Sequence, residues 1–187
     1  METLLQSFVL VFAGEMGDKT QLLALILAAR YRRPWTILLG IFIATVLNHW
    51  LVAWLGQWSS GFLSSEALRW VLGLLFLGFA VWILFPDKME TNEKPDRWGP
   101  LATTIVVFFL AEMGDKTQLA TLALGAQHSS VPLVTLGTTL GMLASNALAI
   151  FLGEHLLKKI PMSIVRKIAS LLFALFGIAI LVGGPNL

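Results

Sequence analysis

Residues 11–22 read VFAGEMGDKTQL, and residues 108–119 read FFLAEMGDKTQL. The hexapeptide EMGDKT is thus present twice, unchanged, and each copy lies inside an apolar stretch long enough to cross a membrane. Ionisable side chains at the bilayer centre cost roughly 2.5 to 3.5 kcal/mol each on insertion scales, so they normally face a cavity or one another and mark an ion pathway. The repeated acidic motif therefore predicts a two-sided ion site.

The composition is typical of a membrane protein, because 57% of the residues are hydrophobic, only 13% are charged and the mean hydropathy is +0.80. Each crossing needs about 20 apolar residues, and the sequence predicts six spans, at residues 3–29, 35–57, 66–85, 100–127, 131–155 and 163–183. We therefore expect an all-α membrane protein with six transmembrane helices. Cysteine is absent, which excludes disulfides and thiolate metal sites. The net charge of +2 does not favour nucleic acid as a partner.

The basic residues outside the two motifs fall almost entirely on one set of alternate loops. That set holds ten of them, whereas the other side holds only Arg69. The positive-inside rule places the ten in the cytoplasm, so we expect both termini outside. The ten are Arg30, Arg32, Arg33, Lys88, Lys94, Arg97, Lys158, Lys159, Arg166 and Lys167.

The repeat extends well beyond the motif, at a constant separation of 97 residues. It covers three spans per half, and because three is odd the second half must insert upside down, giving inverted repeats as in many secondary transporters. We expect one membrane domain over 1–187, made of repeat one (1–85), a solvated linker (86–99) and repeat two (100–187). The matched pairs include Phe12 and Phe109, Gln21 and Gln118, Gly40 and Gly137, Arg69 and Arg166, and Phe76 and Phe173.

The chemistry of the motif follows from its spacing on a helix. Residues three apart share a helix face, so each glutamate projects with its aspartate and the two oxygen-rich stripes are expected to face each other near the midplane. Hard oxygen ligands of this kind suit Ca²⁺, Mn²⁺ or Mg²⁺. The expected metal ligands are Glu15, Asp18, Glu112 and Asp115, with Gln21, Gln118, Thr20 and Thr117 as further oxygen donors.

The charge of the motifs indicates how a metal and protons exchange. Four carboxylates and two lysines sum to a charge of −2, which one divalent cation neutralises and which two protons replace. A buried carboxylate without its metal tends to take up a proton, so the motif predicts antiport of a divalent cation against protons. Lys19 and Lys116 lie four residues after their own glutamates and are expected to pair with them when the metal is absent. Ion pairs that only fix helix packing are the alternative explanation, although acids exceed lysines two to one.

Two further sets of residues are weaker candidates for the site. The thioethers of Met16 and Met113 beside a dication would favour Mn²⁺ over Ca²⁺, but methionine is more often a gap-filler. Asn48 and Asn146 are polar positions within apolar spans and would lie next to the cation ligands, whereas simple interhelical hydrogen bonding explains them equally.

The twin motifs, one per three-span half, resemble the E-x-G-D-[KR]-[TS] pattern of the Gdt family (uncharacterised protein family sixteen) of calcium/manganese transporters, and every defined position matches in both copies. The resemblance implies a divalent cation/proton exchanger with Glu15, Asp18, Glu112 and Asp115 as cation ligands. It further implies a transporter without a cofactor, not an enzyme, similar to manganese exporters of the bacterial inner (plasma) membrane. The choice between Mn²⁺ and Ca²⁺ stays open.

Two rival functions remain at this point. A passive divalent-cation channel would need the same ligands without coupling to protons. An intramembrane aspartyl protease is partly similar in its Gly-Asp pair, and such enzymes use two aspartates that share a proton. Here a glutamate stands before the Gly-Asp segment and the whole motif is duplicated, which argues against the protease.

Overall fold

The computed structural model describes residues 1–85, 98–159 and 161–183, and that part of the chain forms eight helices and no strand, which confirms the all-α prediction. The first four helices are α1 (Glu2–Glu15), α2 (Lys19–Tyr31), α3 (Pro34–Ser60) and α4 (Ser65–Trp82). The second four are α5 (Gly99–Glu112), α6 (Lys116–Gln127), α7 (Val131–Lys159) and α8 (Met162–Gly183).

Four of these helices are long and apolar enough to cross a membrane: α3, α4, α7 and α8. They coincide with the spans predicted at 35–57, 66–85, 131–155 and 163–183. Local signals agree with their starts, because Pro34 occupies the first turn of α3 and the Ser64 hydroxyl accepts a hydrogen bond from the Ala67 amide at the start of α4.

The two remaining predicted spans, 3–29 and 100–127, are not the continuous helices that we expected. Each consists of two short helices that meet at the motif, α1 with α2 and α5 with α6. The breaks depend on Gly17 and Gly114, whose φ angles of 78° and 75° lie in the left-handed region that residues with a Cβ rarely adopt. The prediction of two continuous helices was wrong because each glycine interrupts the helix instead of only weakening it. It ends one helix and lets the next begin.

The helices of the two halves pack against each other rather than forming two separate bundles. Helix α1 lies along α7 and the equivalent α5 lies along α3, while α2 contacts α7 and α6 contacts α3. The equivalent helices α3 and α7 contact each other, as do α4 and α8. At the α4–α8 contact the rings of Phe76 and its repeat partner Phe173 lie 6.1 Å apart. This interlocking brings the two helix breaks together in the interior.

The expected linker 86–99 lies almost wholly outside the described residues, which resume at Trp98, and Gly99 begins α5. Of the basic residues used to predict orientation, Lys88, Lys94 and Arg97 fall in the part of the chain that is not described.

Candidate cation site

Each helix break is a compact turn built from the motif itself. In the first half, the amide of Gly17 donates to Oε1 of Gln21 at 2.8 Å, and the amide of Asp18 donates to the carbonyl of Glu15 at 3.1 Å. The second half repeats both bonds, with 2.6 Å from Gly114 to Gln118 and 3.1 Å between Asp115 and Glu112. The glutamine side chain thereby satisfies an amide at the break, which would otherwise be costly inside a membrane.

The break changes how the acids of one motif are related. The prediction that each glutamate and aspartate share a face of one helix was wrong, because the glutamate ends one helix and the aspartate precedes the first residue of the next. The acids nevertheless converge. Glu15, Glu112 and Asp115 each place a carboxylate oxygen within 4.8 Å of the other two, and all three side chains are buried. Asp18 is buried as well but does not belong to this group.

The two glutamates are held in the same way by the threonines of their motifs. The Thr20 hydroxyl donates to Oε2 of Glu15 at 2.6 Å, and the Thr117 hydroxyl donates to Oε2 of Glu112 at 3.1 Å. In each glutamate the other oxygen, Oε1, is buried and has no hydrogen-bond partner among the described residues. Buried carboxylate oxygens without donors are costly. Glu15 and Glu112, each with such an oxygen, form together with the neighbouring Asp115 a donor set that fits a hard divalent cation.

The lysines pair with aspartates of the opposite motif. Lys19 Nζ lies 3.0 Å from Asp115 Oδ1, and Lys116 Nζ lies 2.7 Å from Asp18 Oδ1. The prediction that each lysine pairs with its own glutamate was wrong, because that prediction required a continuous helix. After the break, the lysine is the first residue of the next helix and reaches the other half. Both ion pairs therefore join the two halves.

The glutamines also connect the halves. Gln21 Nε2 donates to the hydroxyl and the carbonyl of Ser145 at 2.6 and 2.8 Å, and Gln118 Nε2 donates to Oδ1 of Asn48. Ser145 and Asn48 are repeat equivalents, so the two contacts correspond. Asn48 and Asn146 were both candidates for this position, yet the Asn146 amide bonds only to Met142 of its own helix among the contacts seen. The 97-residue offset was the signal that pointed to Ser145.

The two methionines differ in their surroundings. Met16 Sδ lies 3.5 Å from Gln21 Nε2 and 3.8 Å from the Ser145 hydroxyl, so it packs beside the break of the first half. Met113 is 57% exposed. The structure thus brings acids, lysines and threonines of both motifs together in the interior. The two methionines differ, because only Met113 is largely exposed.

Comparison with known proteins gives consistent matches over the whole chain. The family described as "Divalent cation/proton antiporter GDT1" matches residues 3–91 and 100–186. A "Putative manganese exporter" of Vibrio cholerae is 46% identical over 180 residues, covering 96% of this chain and 90% of the relative. A GDT1-like protein of Synechocystis is 31% identical over 191 residues, covering 90% and 91%, and one of Arabidopsis thaliana is 29% identical over 221 residues, covering 95% and 96%. No solved structure matches the chain.

Proposed function

Because the chain belongs to the divalent cation/proton antiporter GDT1 family, we propose that it exports a divalent cation, Mn²⁺ foremost and Ca²⁺ as the other candidate, in exchange for protons. The family is one of transporters, so the chain is an integral membrane transporter and not an enzyme. The intramembrane protease considered from the sequence is therefore wrong. The geometry agrees, since Asp18 and Asp115 each pair with a lysine rather than with each other.

One observation carries the proposal: carboxylate oxygens of Glu15, Glu112 and Asp115 meet within 4.8 Å in the buried contact between the halves. Hard oxygen donors favour Mn²⁺, Ca²⁺ and Mg²⁺ over soft metals. The relative from Vibrio cholerae is named for manganese, and this supports placing Mn²⁺ first.

The proposed architecture is six crossings arranged as two inverted repeats. Helix α1 has 14 residues, which at about 1.5 Å per residue reaches only about 21 Å of a hydrocarbon core about 30 Å thick. We therefore count α1 with α2 as one interrupted crossing, and α5 with α6 as its equivalent. Interrupted helices at the contact between repeats are the usual place for ion sites in secondary transporters. Rocking of the halves about this site would provide alternating access.

The coupling between metal and protons follows from charge. The motif acids and lysines together carry −2, so the site is neutral with one dication or with two protons bound. A conformational change that carries the site through the low-dielectric membrane interior costs less free energy when the site is neutral than when it is charged. The cation-loaded and the doubly protonated forms are therefore the two that change conformation, which makes the exchange obligatory.

Flux in proteoliposomes tests the proposal against the channel alternative. Sealed vesicles with a pH gradient and equal Mn²⁺ on both sides should accumulate Mn²⁺ against its gradient, and a Ca²⁺ series would rank the two ions. Glu112→Gln should abolish the flux, whereas Glu66→Gln should not, because Glu66 is exposed in the first turn of α4. Flux that runs only downhill and ignores pH would make the protein a channel.

The proposed location is the plasma membrane of a bacterium, with both termini outside and the basic loops in the cytoplasm. The charge bias of the loops supports this orientation. A reporter enzyme that works only outside the cytoplasm, fused to either end, should be active, and an inactive reporter at both ends would reverse the orientation.

A further inference from the structure

We infer that the two aspartates of the repeated motif serve the cation in turn. In the conformation described here Asp115 completes the cation site with Glu15 and Glu112, while Asp18 is held aside by Lys116. In the oppositely facing conformation the roles of Asp18 and Asp115 exchange. The inference rests on the proposed function, because it assigns ligands to two states of that exchanger.

The first support is an asymmetry inside a site whose sequence is symmetric. Asp18 and Asp115 are repeat equivalents, yet only Asp115 joins the group whose oxygens lie within 4.8 Å of one another. Glu15 and Glu112 are both in that group, each with one buried oxygen that no described hydrogen-bond donor reaches. The two hexapeptides are identical, so the difference between the aspartates comes from how each is placed in this conformation.

The second support is the unequal state of the two ion pairs. The Lys116–Asp18 pair is shorter, at 2.7 Å, and its side chains are 7% and 1% exposed. The Lys19–Asp115 pair measures 3.0 Å, and Lys19 is 24% exposed. A dication arriving at Asp115 repels the Lys19 ammonium, which has access to the surface and is free to withdraw. Lys116 has much less access and stays on Asp18 as its internal counter-ion.

The third support is the different packing of the two turns. Met113 and Gly114 in the second turn are exposed, and a Cβ built on Gly114 meets no atom within 4 Å. Met16 and Gly17 in the first turn are half-buried, and they line a small cleft together with Asp18 and Lys116. The turn before Asp115 is thus the more exposed of the two.

Charge balance is kept in both conformations. With Asp18 neutralised by Lys116, the remaining acids and Lys19 carry −2, which one dication cancels. After the exchange of roles Asp115 is neutralised by Lys19, and Asp18, the same two glutamates and Lys116 again carry −2. In both conformations the two glutamates bind the cation. The aspartate that does not bind the cation is neutralised by its lysine.

Paired substitutions test this without leaving a buried charge alone. Asp18→Asn with Lys116→Gln removes the idle pair, and Asp115→Asn with Lys19→Gln removes the pair in use. We expect the first double variant to bind Mn²⁺ at equilibrium within about threefold of wild type but to lose exchange at least 100-fold, since the opposite state lacks its ligand. The second should also lose exchange, since the conformation described here then lacks its ligand. Glu112→Gln is the reference for lost binding.

The outcomes separate this inference from the proposed function. If the first double variant loses Mn²⁺ binding as completely as Glu112→Gln, all four acids bind together and the inference is wrong, while wild-type exchange leaves the proposed function standing. Exchange that survives in either double variant also overturns the inference. If wild type itself neither binds nor exchanges Mn²⁺ or Ca²⁺, the proposed function fails first. A matching size-exclusion profile for each variant excludes misfolding as the cause of lost binding.

Discussion

At the scale of single residues, the two carboxylate oxygens of each motif glutamate have different surroundings. One oxygen of Glu112 is fixed by the hydroxyl of Thr117, and the other is buried without a hydrogen-bond donor among the described residues. Thr20 and Glu15 repeat the arrangement. A carboxylate anchored through one oxygen presents the other at a defined position, which reduces the ordering that a bound cation must impose. We therefore propose that the motif threonine positions the glutamate for the cation.

Thr117→Val tests this role, because valine has nearly the same shape and lacks the hydroxyl. A hydrogen bond to a charged group contributes roughly 1.5 to 3 kcal/mol, so the Mn²⁺ concentration for half-maximal exchange should rise about tenfold or more. Thr121→Val is the matched control, since Thr121 is equally buried in α6 and donates only to the carbonyl of Thr117 among the contacts seen. Equal effects from the two substitutions would contradict the anchoring role.

At the scale of helices, the breaks at the motifs position the acids. These breaks were not predicted from the sequence. Apolar length is sufficient to predict α3, α4, α7 and α8, because burial in lipid requires that length of each of them. Gly17 lies in an apolar run much as Gly40 and Gly137 do, and those two lie within continuous helices. What distinguishes Gly17 is that Gln21 bonds its amide and Ser145 of the other half holds Gln21 in place. The second of these contacts is tertiary, so a local pattern does not contain it.

The same reasoning limits what the sequence could predict of the site. That acids of both motifs converge follows from the repeat and from the cost of charge in lipid. Which lysine meets which aspartate does not, because Lys19 reaches Asp115 only after the helix has ended and restarted. The unequal roles of Asp18 and Asp115 are invisible in two identical hexapeptides.

The packing of α1 against α7 depends on glycine and gives a second prediction. A Cβ on Gly141 would lie 2.7 Å from the carbonyl oxygen of Phe8 and 2.9 Å from the amide nitrogen of Phe12. Overpacking of this kind costs roughly 1 to 3 kcal/mol, so Gly141→Ala should lower the thermal unfolding temperature of the purified protein. Gly78→Ala is the control, because its Cβ meets nothing within 4 Å. An unfolding temperature unchanged by Gly141→Ala would show that α1 and α7 do not approach this closely.

The link between Gln118 and Asn48 gives a third prediction, which a double-mutant cycle measures. Leucine at either position removes the same hydrogen bond, so the two substitutions should be non-additive, with a coupling near the 0.6 kcal/mol average for membrane helices. Asn146→Leu combined with Gln118→Leu is the control cycle and should be additive, because the Asn146 amide bonds within its own helix. Additivity in the first cycle would mean that the link contributes nothing.

At the scale of the whole molecule, the two halves share one site and neither half completes it. The acid group takes Glu15 from the first half and Glu112 with Asp115 from the second, and both ion pairs cross between halves. A movement of one half relative to the other must therefore change the site, which is what coupling between transport and conformation requires. The interlocked packing of α1 with α7 and of α5 with α3 makes such a movement one of whole helices rather than of loops.

Exchange of one divalent cation for protons at the shared site can be tested by counting both ions in the same vesicles. Sealed proteoliposomes holding a pH-sensitive dye receive Mn²⁺ outside, with the membrane potential clamped, and metal uptake and proton release are recorded together. The charge of −2 predicts about two protons released for each Mn²⁺ taken up, and no movement of either ion with Glu112→Gln. Mn²⁺ uptake without any matching proton release would contradict the account.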